Sequence, residues 1–264
     1  MTSTLTIESR SLDEGTIEIW TIDREPSMNA LNRDLVRAIG EAARRAEENK
    51  EVRAVVLTGR GQKAFCAGAD LKERRGMSEA EIRDFLALYR TEFRFLDKLS
   101  KPTVAALNGA AFGGGLELAL VCDLRVAAPH ARMGLTELSL GIIPGAGGTQ
   151  RLTRLVSEAK AKELLLFSSR LDANEALALG ILNHITEAAD TLVDETVQWM
   201  RPILSKAPIA VGAALEAVDA AMDLALEDGL AAELRLYERT LVSRDRVEAL
   251  EAFLEKRPPR FEGR

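Results

Sequence analysis

The sequence predicts an α/β protein that ends in an all-helical region. Through most of the chain, short β-rich runs alternate with amphipathic stretches in a strand, strand, helix rhythm. Strand signals stop after His184-Ile185, and everything from residue 187 onward has helical period. Between these lies a third observation. Residues 101–151 hold six of the nineteen glycines in two short runs, residues 113–115 and 145–148, around two glutamates with apolar neighbours, Glu117 and Glu137. The chain therefore divides into a core, residues 1–186, and a helical region, residues 187–264. No fixed-period sequence repeat is visible.

Residues 4–8 and 16–22 are β-rich, and Asp13-Glu14-Gly15 between them is a turn, so they form a hairpin. Residues 24–29 are a loop around Pro26. Asn32 caps a helix with an apolar face of Leu35, Val36, Ile39, Ala42, Ala43 and Ala46. Its other face carries both charge signs and reads as solvated. Residues 52–58 (VRAVVLT) are a buried strand. Residues 64–71 (AFCAGADL) set small residues around Gly68, either a tight strand-to-helix turn or a close approach of backbone to a ligand. Ser78, with Glu81 in capping-box position, opens a helix over 79–99. Residues 103–107 are a strand, Asn108-Gly109 turns the chain, and a helix follows from Gly113. Residues 122–127 form a strand that Pro129 ends, and 132–134 are extended. Residues 138–143 lead into the 144–148 loop, and helices cover 149–156, 159–167 and 174–179, the last closed by Gly180. The tail reads as three helices, 187–204, 208–226 and 231–254.

Composition narrows the chemistry. An apolar content of 47% allows a sizeable core, and a net charge of −6 argues against a general nucleic-acid binder. Cys66 and Cys122 have no metal or redox spacing and suit a reducing cytosol. His130 and His184 are too scattered for a metal centre. The longest uncharged run, residues 102–116, is broken by glycines and too short to span a bilayer. MTSTLTIESR lacks a basic-then-apolar leader pattern, so a cytoplasmic location is expected. Residues 109–115 do not make a dinucleotide fingerprint, and residues 141–149 lack the lysine of a phosphate loop. No serine sits in a nucleophile elbow.

Backbone and carboxylates remain. Bare N–H groups at a helix N-terminus attract negative charge. Ala69 and Gly114 can each aim an N–H at one oxygen, an oxyanion hole of the kind a thioester carbonyl needs as negative charge develops on it. Glu117 and Glu137 can hold one water between them, one accepting a proton while the other supplies one, provided their environments separate their pKa values. Residue types alone leave that division open.

Four separated motifs, in order, resemble the enoyl-CoA hydratase (crotonase) family along nearly the whole chain. They are Met28-Asn29-Ala30-Leu31, AFCAGADLKE from Ala64, NGAAFGGGLELALVCD from Asn108, and GLTELSLGIIPGAGGTQRL from Gly134; the tail AFLEKR from Ala252 matches as well. The resemblance implies a ββα spiral core, a helical C-terminal trimerisation region giving a homotrimer or a hexamer of paired trimers, and acyl-CoA substrates. It implies no metal or redox cofactor, coenzyme A being part of the substrate, and no membrane partner. Residue by residue, Ala69 and Gly114 match the oxyanion donors and Gly145 a glycine near the catalytic water. Glu117 matches the glutamate assigned to the water, and Glu137 the one assigned to the α-proton. Ser27, Met28, Ala67, Asp70 and Leu71 fall where the family contacts coenzyme A. Phe253 and Lys256 match tail positions that reach a neighbouring subunit's coenzyme. Isomerases on this fold usually lack one of the two glutamates.

CAGADLKERRGMS from Cys66 and DRVEALEAFLEKRPPR from Asp245 are most similar, within the family, to 3-methylglutaconyl-CoA hydratases of leucine breakdown. That substrate ends in a carboxylate, for which Lys72, Arg74 and Arg75 are candidate cations. A relative in that subgroup binds AU-rich RNA through a lysine-rich helix. Here the matching residues 33–50 have mixed charge and a single lysine, so RNA binding is not expected.

Overall fold

The computed structural model describes residues 4–264. The first three residues of the stretch read for a leader lie outside them. β1 (Leu5–Leu12) and β2 (Gly15–Ile22) pair antiparallel across the expected turn. β1 outruns its β-rich segment because its polar second half still pairs with β2 through the backbone, and Arg10 is tied to Asp194. α1 (Arg33–Glu48) starts where the Asn32 side chain accepts from the Leu35 amide. β3 (Val52–Gly59) and β4 (Ala64–Cys66) follow, then the short α2 (Leu71–Arg74) and α3 (Glu79–Asp97), with both halves of the Ser78–Glu81 capping box formed. Next come β5 (Thr103–Leu107), β6 (Ala110–Phe112), α4 (Gly114–Val121), β7 (Leu124–Ala127) and β8 (Arg132–Gly134). α5 (Gly148–Leu155), α6 (Glu158–Leu166), β9 (Leu171–Asp172), α7 (Ala173–Ala178) and β10 (His184–Ile185) complete the core.

The strands form two sheets, ordered β1-β2-β3-β5-β7-β10 and β4-β6-β8-β9. Each pass of the chain puts one strand in the first sheet, the next in the second, and then a helix, as in β3-β4-α3 and β5-β6-α4. That repetition is a ββα spiral, and pairing along it is parallel. The central strands of the first sheet are covered on both faces, which is why VRAVVLT reads as a continuous apolar run. Val55 and Leu57 face the main core with α1, α3 and α4, while Ala54 and Val56 pack against Val197, Met200 and Leu204 of α8 (Leu192–Leu204).

The tail is wholly helical, with boundaries that differ from the sequence reading. α8 starts later than residue 187 because the Thr186 amide still pairs with Ala127 at the sheet edge. α9 (Pro208–Ala221) ends earlier than expected, and the single helix expected over 231–254 is two, α10 (Leu226–Leu241) and α11 (Arg244–Glu255). The break lies at Ser243, whose hydroxyl accepts from the Arg246 amide and caps α11. Large apolar side chains stay exposed on this region, among them Val218, Leu226, Leu234, Leu254 and Phe253.

α4 leaves the second sheet against the backbone of β4. A Cβ on Gly115 would lie 1.9 Å from the Cys66 carbonyl oxygen, so no side chain fits there without parting the two segments. Gly115→Ala should cost about 3 kcal/mol or more of stability in urea unfolding, at the upper end for overpacking. A change below about 1 kcal/mol would show that the two backbones can move apart easily.

Candidate active site

Two turns meet at the N-terminus of α4. Gly68 takes φ +100°, and a Cβ there would lie 2.9 Å from the Phe112 carbonyl oxygen. Leu31 bridges the turn on its other side: its amide donates to the Gly68 carbonyl at 2.7 Å, and the Asp70 amide donates to the Leu31 carbonyl at 2.9 Å. The Ala69 amide between them has no acceptor among the described residues. Gly114 is the first residue of α4, where an amide has no partner inside its helix. A Cβ on Gly114 would lie only 3.6 Å from the Ala69 nitrogen. Two uncommitted N–H donors therefore lie side by side at the positive end of a helix dipole, an arrangement that can stabilise an oxyanion.

Glu117 lies in the first turn of α4 and is 3% exposed. Its Oε1 accepts from the Ala146 and Gly148 amides, both at 2.7 Å. Glycine at 148 favours this close approach, since a Cβ would lie 3.0 Å from that oxygen. Gly145 in the same loop packs on Leu86 of α3. Glu137 opens a 3-10 turn, Glu137–Leu140, and is 7% exposed. It stands over Gly113, whose absent Cβ would lie 3.2 Å from its Oε1. Neither Glu137 oxygen has a hydrogen-bond partner among the described residues.

The two carboxyls are thus in unlike settings. Burial pushes both up, but the Gly148, Ala146 and Gly145 amides act against it at Glu117. At Glu137 burial prevails over the backbone of its own turn, Glu137 and Thr136, and the negative charge of Glu117 adds to burial, so its pKa is pushed up to about 7. Near neutrality the Glu137 carboxyl is poised to hold a proton, while the amides at Glu117 act in favour of its ionised form.

The coenzyme-contact residues expected from the sequence form one neighbourhood with Ala69. Ser27 ends a 3-10 turn, Met28 follows with φ 53°, and the Met28 carbonyl accepts from the Ala67 amide at 3.0 Å. Asn29 fixes that turn from inside, its side-chain amide donating to the Ala64 carbonyl at 2.7 Å. Leu71 is exposed at the start of α2. The Asp70 carboxylate is already engaged: Oδ2 accepts from Arg24 at 2.9 Å, and Oδ1 accepts from the Lys72 and Glu73 amides to cap α2. Its pKa is lowered against the effect of burial by those bonds, and its amide and carbonyl are engaged as well, with Leu31 and Arg74. Of the three candidate cations, Lys72 and Arg75 are exposed and Arg74 is half-buried, within electrostatic reach of Glu117. Phe253, 81% exposed, and Lys256, in the left-handed C-cap of α11, have no described contact with this cluster.

Sequence reading missed the Ala146 and Gly148 amides that hold Glu117, and Arg24, which locks Asp70. It also passed over Tyr89 in the buried stripe Phe85, Tyr89, Phe93 of α3; the signal was a hydroxyl at helical spacing in an otherwise apolar face.

Glu137 also carries a stability cost. With a folded pKa raised to about 7 from 4.5, the folded state holds a proton that the unfolded chain releases, so this residue's contribution declines as pH rises between those values. Glu137→Gln should therefore gain in Tm relative to the parent at about pH 8 compared with about pH 5. An equal Tm difference at both pH values would show that the carboxyl is not perturbed.

The enoyl-CoA hydratase/isomerase family model matches residues 13–264. The chain is 41% identical to human mitochondrial methylglutaconyl-CoA hydratase over 250 residues, 94% of this chain and 74% of that protein. It is 40% identical to the short-chain-enoyl-CoA hydratase of Clostridium acetobutylicum, covering 92% and 93% of the two chains. The crystal structure of an enoyl-CoA hydratase from Bacillus anthracis superposes with a TM-score of 0.94 at 39% identity, covering 99% of this chain and 100% of that one. The spiral of paired strands, the two glycine-lined turns and the matches over nearly the full chain agree: the protein belongs to the enoyl-CoA hydratase/isomerase family.

Proposed function

We propose that the protein is an enoyl-CoA hydratase that adds water syn across the 2,3-double bond of an acyl-CoA, with 3-methylglutaconyl-CoA as its substrate. The observation that carries the hydratase reading is the pair of unlike carboxyls, Glu117 held by two amides and Glu137 held by none. An isomerase needs one such group; a hydratase uses two. In this reading the amides of Ala69 and Gly114 bind the thioester oxygen and favour the enolate over the ground state, an effect worth about 3 kcal/mol per well-placed donor. Glu117, ionised, orients the water and takes its proton as the oxygen bonds to C3. Glu137, protonated, gives a proton to C2, and one proton must then pass from Glu117 to Glu137 to reset the site. The coenzyme A carried by the substrate is the only group the chemistry calls on.

The finer substrate assignment is supported by the 41% identity to a protein named methylglutaconyl-CoA hydratase and by the half-buried Arg74 near Glu117. Both cysteines are buried and free, which fits the cytoplasmic location we expect. Among the described residues no helix is long and apolar enough to cross a membrane. The apolar side chains left exposed on α9, α10 and α11 support a homotrimer, or two trimers paired, with Phe253 and Lys256 reaching a neighbour's coenzyme.

Glu117→Gln and Glu137→Gln should each lower kcat by roughly a hundredfold or more, with acyl-CoA affinity near that of the parent. Because both carboxyls hold one water, the double substitution should fall little below the worse single one. Glu117→Gln with near-parental hydration would sink the two-carboxyl mechanism and leave isomerisation on Glu137 alone. Steady-state kinetics should give a higher kcat/KM for 3-methylglutaconyl-CoA than for crotonyl-CoA; the reverse order would refute the substrate assignment. Sedimentation should show a trimer or hexamer at micromolar concentration, and a stable monomer would contradict the proposed assembly.

A further inference from the structure

Folded proteins rarely leave a buried polar side-chain atom without a partner. Among the described residues only three such atoms occur: both carboxylate oxygens of Glu137 and the hydroxyl of Tyr89. The first two are accounted for by the reaction. Tyr89 is 4% exposed, lies on α3, and has no part in the chemistry proposed above.

Its position is fixed. The ring stacks on Phe85 at 4.8 Å between centroids and leans on Phe93 at 5.4 Å, so the hydroxyl cannot swing out to solvent without breaking the stripe. One turn before it, Leu86 packs on Gly145, and Tyr89 itself lines a cleft with Gly145, Ala146 and Gly147, the loop whose amides hold Glu117. The hydroxyl lies within electrostatic reach of Glu117 and Arg74, and burial pushes its phenol up, so it is a neutral donor at any working pH. Arg74 is half-buried and makes no ion pair among the described residues, although its helix neighbour Glu73 pairs with Arg33. An uncommitted donor therefore lies beside the loop that holds the water-handling carboxyl, with an unpaired cation within electrostatic reach of both. A purely hydrocarbon acyl chain would leave the buried hydroxyl unsatisfied, whereas a carboxylate would accept from it and carry the charge that Arg74 matches.

We propose that Tyr89 is a specificity residue, its hydroxyl donating to the terminal carboxylate of an acyl chain whose charge is matched by Arg74. The inference rests on the reading of the site as a hydratase for a carboxylate-ended enoyl thioester.

The test is a ratio, kcat/KM for glutaconyl-CoA over kcat/KM for crotonyl-CoA, measured on the parent, Tyr89→Phe and Arg74→Gln. Tyr89→Phe keeps the ring and its stacking and removes only the donor; its ratio should fall at least about tenfold, the range for losing a hydrogen bond to a charged group. Arg74→Gln, on a half-exposed helix, should lower the ratio in the same direction. A merely structural Tyr89 would lower both substrates together and leave the ratio unmoved, which would overturn the inference while leaving the hydratase reading intact. A parent ratio at or below one would overturn the inference and the carboxylate-ended substrate class together. Should Tyr89→Phe not fold, glutaryl-CoA and butyryl-CoA as competitive inhibitors of the parent and of Arg74→Gln decide: the parent should prefer glutaryl-CoA and the variant should lose that preference, and equal inhibition of the parent by both would refute the proposal.

Discussion

The backbone of β4 and its following turn lies so close to the start of α4 that no side chain fits between them. Gly68 and Gly115 are the positions that allow this approach. Its first consequence is a pair of adjacent amides, at Ala69 and Gly114, free to bind an oxygen. Its second is the direction of α4, which carries Glu117 one turn in from those amides. The second sheet exists to hold that contact: β4, β6 and β8 are short, but together they bring the 68–69 turn, the α4 start and the strand before Glu137 to one place. These glycines cost conformational entropy on folding, and the buried faces of the first sheet and its helices supply the stability that tolerates it.

Once the two glutamates are inside, their difference is electrostatic. Both lose water, which favours the neutral acid. Two backbone amides replace part of that lost hydration at Glu117, whereas the Glu137 oxygens have no hydrogen-bond partner among the described residues and burial prevails there. In the proposed mechanism one residue type thereby serves as base and as acid, and the missing side chain of Gly148 lets its amide come close to Glu117. Shortfall in hydrogen bonding is confined to this neighbourhood, since the only other unpartnered buried side-chain atom among the described residues is the Tyr89 hydroxyl. A site that leaves polar atoms unsatisfied is prepared for a ligand that satisfies them.

Much of this was legible because the signals were local. Asn32 and the Ser78–Glu81 box start helices through bonds within one turn, and VRAVVLT is long enough to show its burial. The glycine clusters and the glutamates among apolar residues pointed to the site for the same reason. β6 and β9 were missed since three or two residues carry no period, and their pairing lies with strands distant in sequence. The α10–α11 break was hidden because apolar period runs on across it and one serine cap decides it. The roles of the glutamates were out of reach for a deeper reason: the amides that distinguish them come from residues about thirty positions away from Glu117. Tyr89 was masked by Phe85 and Phe93, which made its stripe look like core.

The separation of the two carboxyls is the central claim, and the pH dependence of kcat/KM for hydration tests it most directly. Glu137 must be protonated to act as the acid, and its pKa is pushed up to about 7, so the protonated fraction falls as pH rises through that value. The profile should therefore decline on its alkaline side from about pH 7, with an acid limb at lower pH where Glu117 takes a proton. A profile flat from about pH 6 to about pH 9 would mean that Glu137 is not the proton donor, and the account of the site would be wrong.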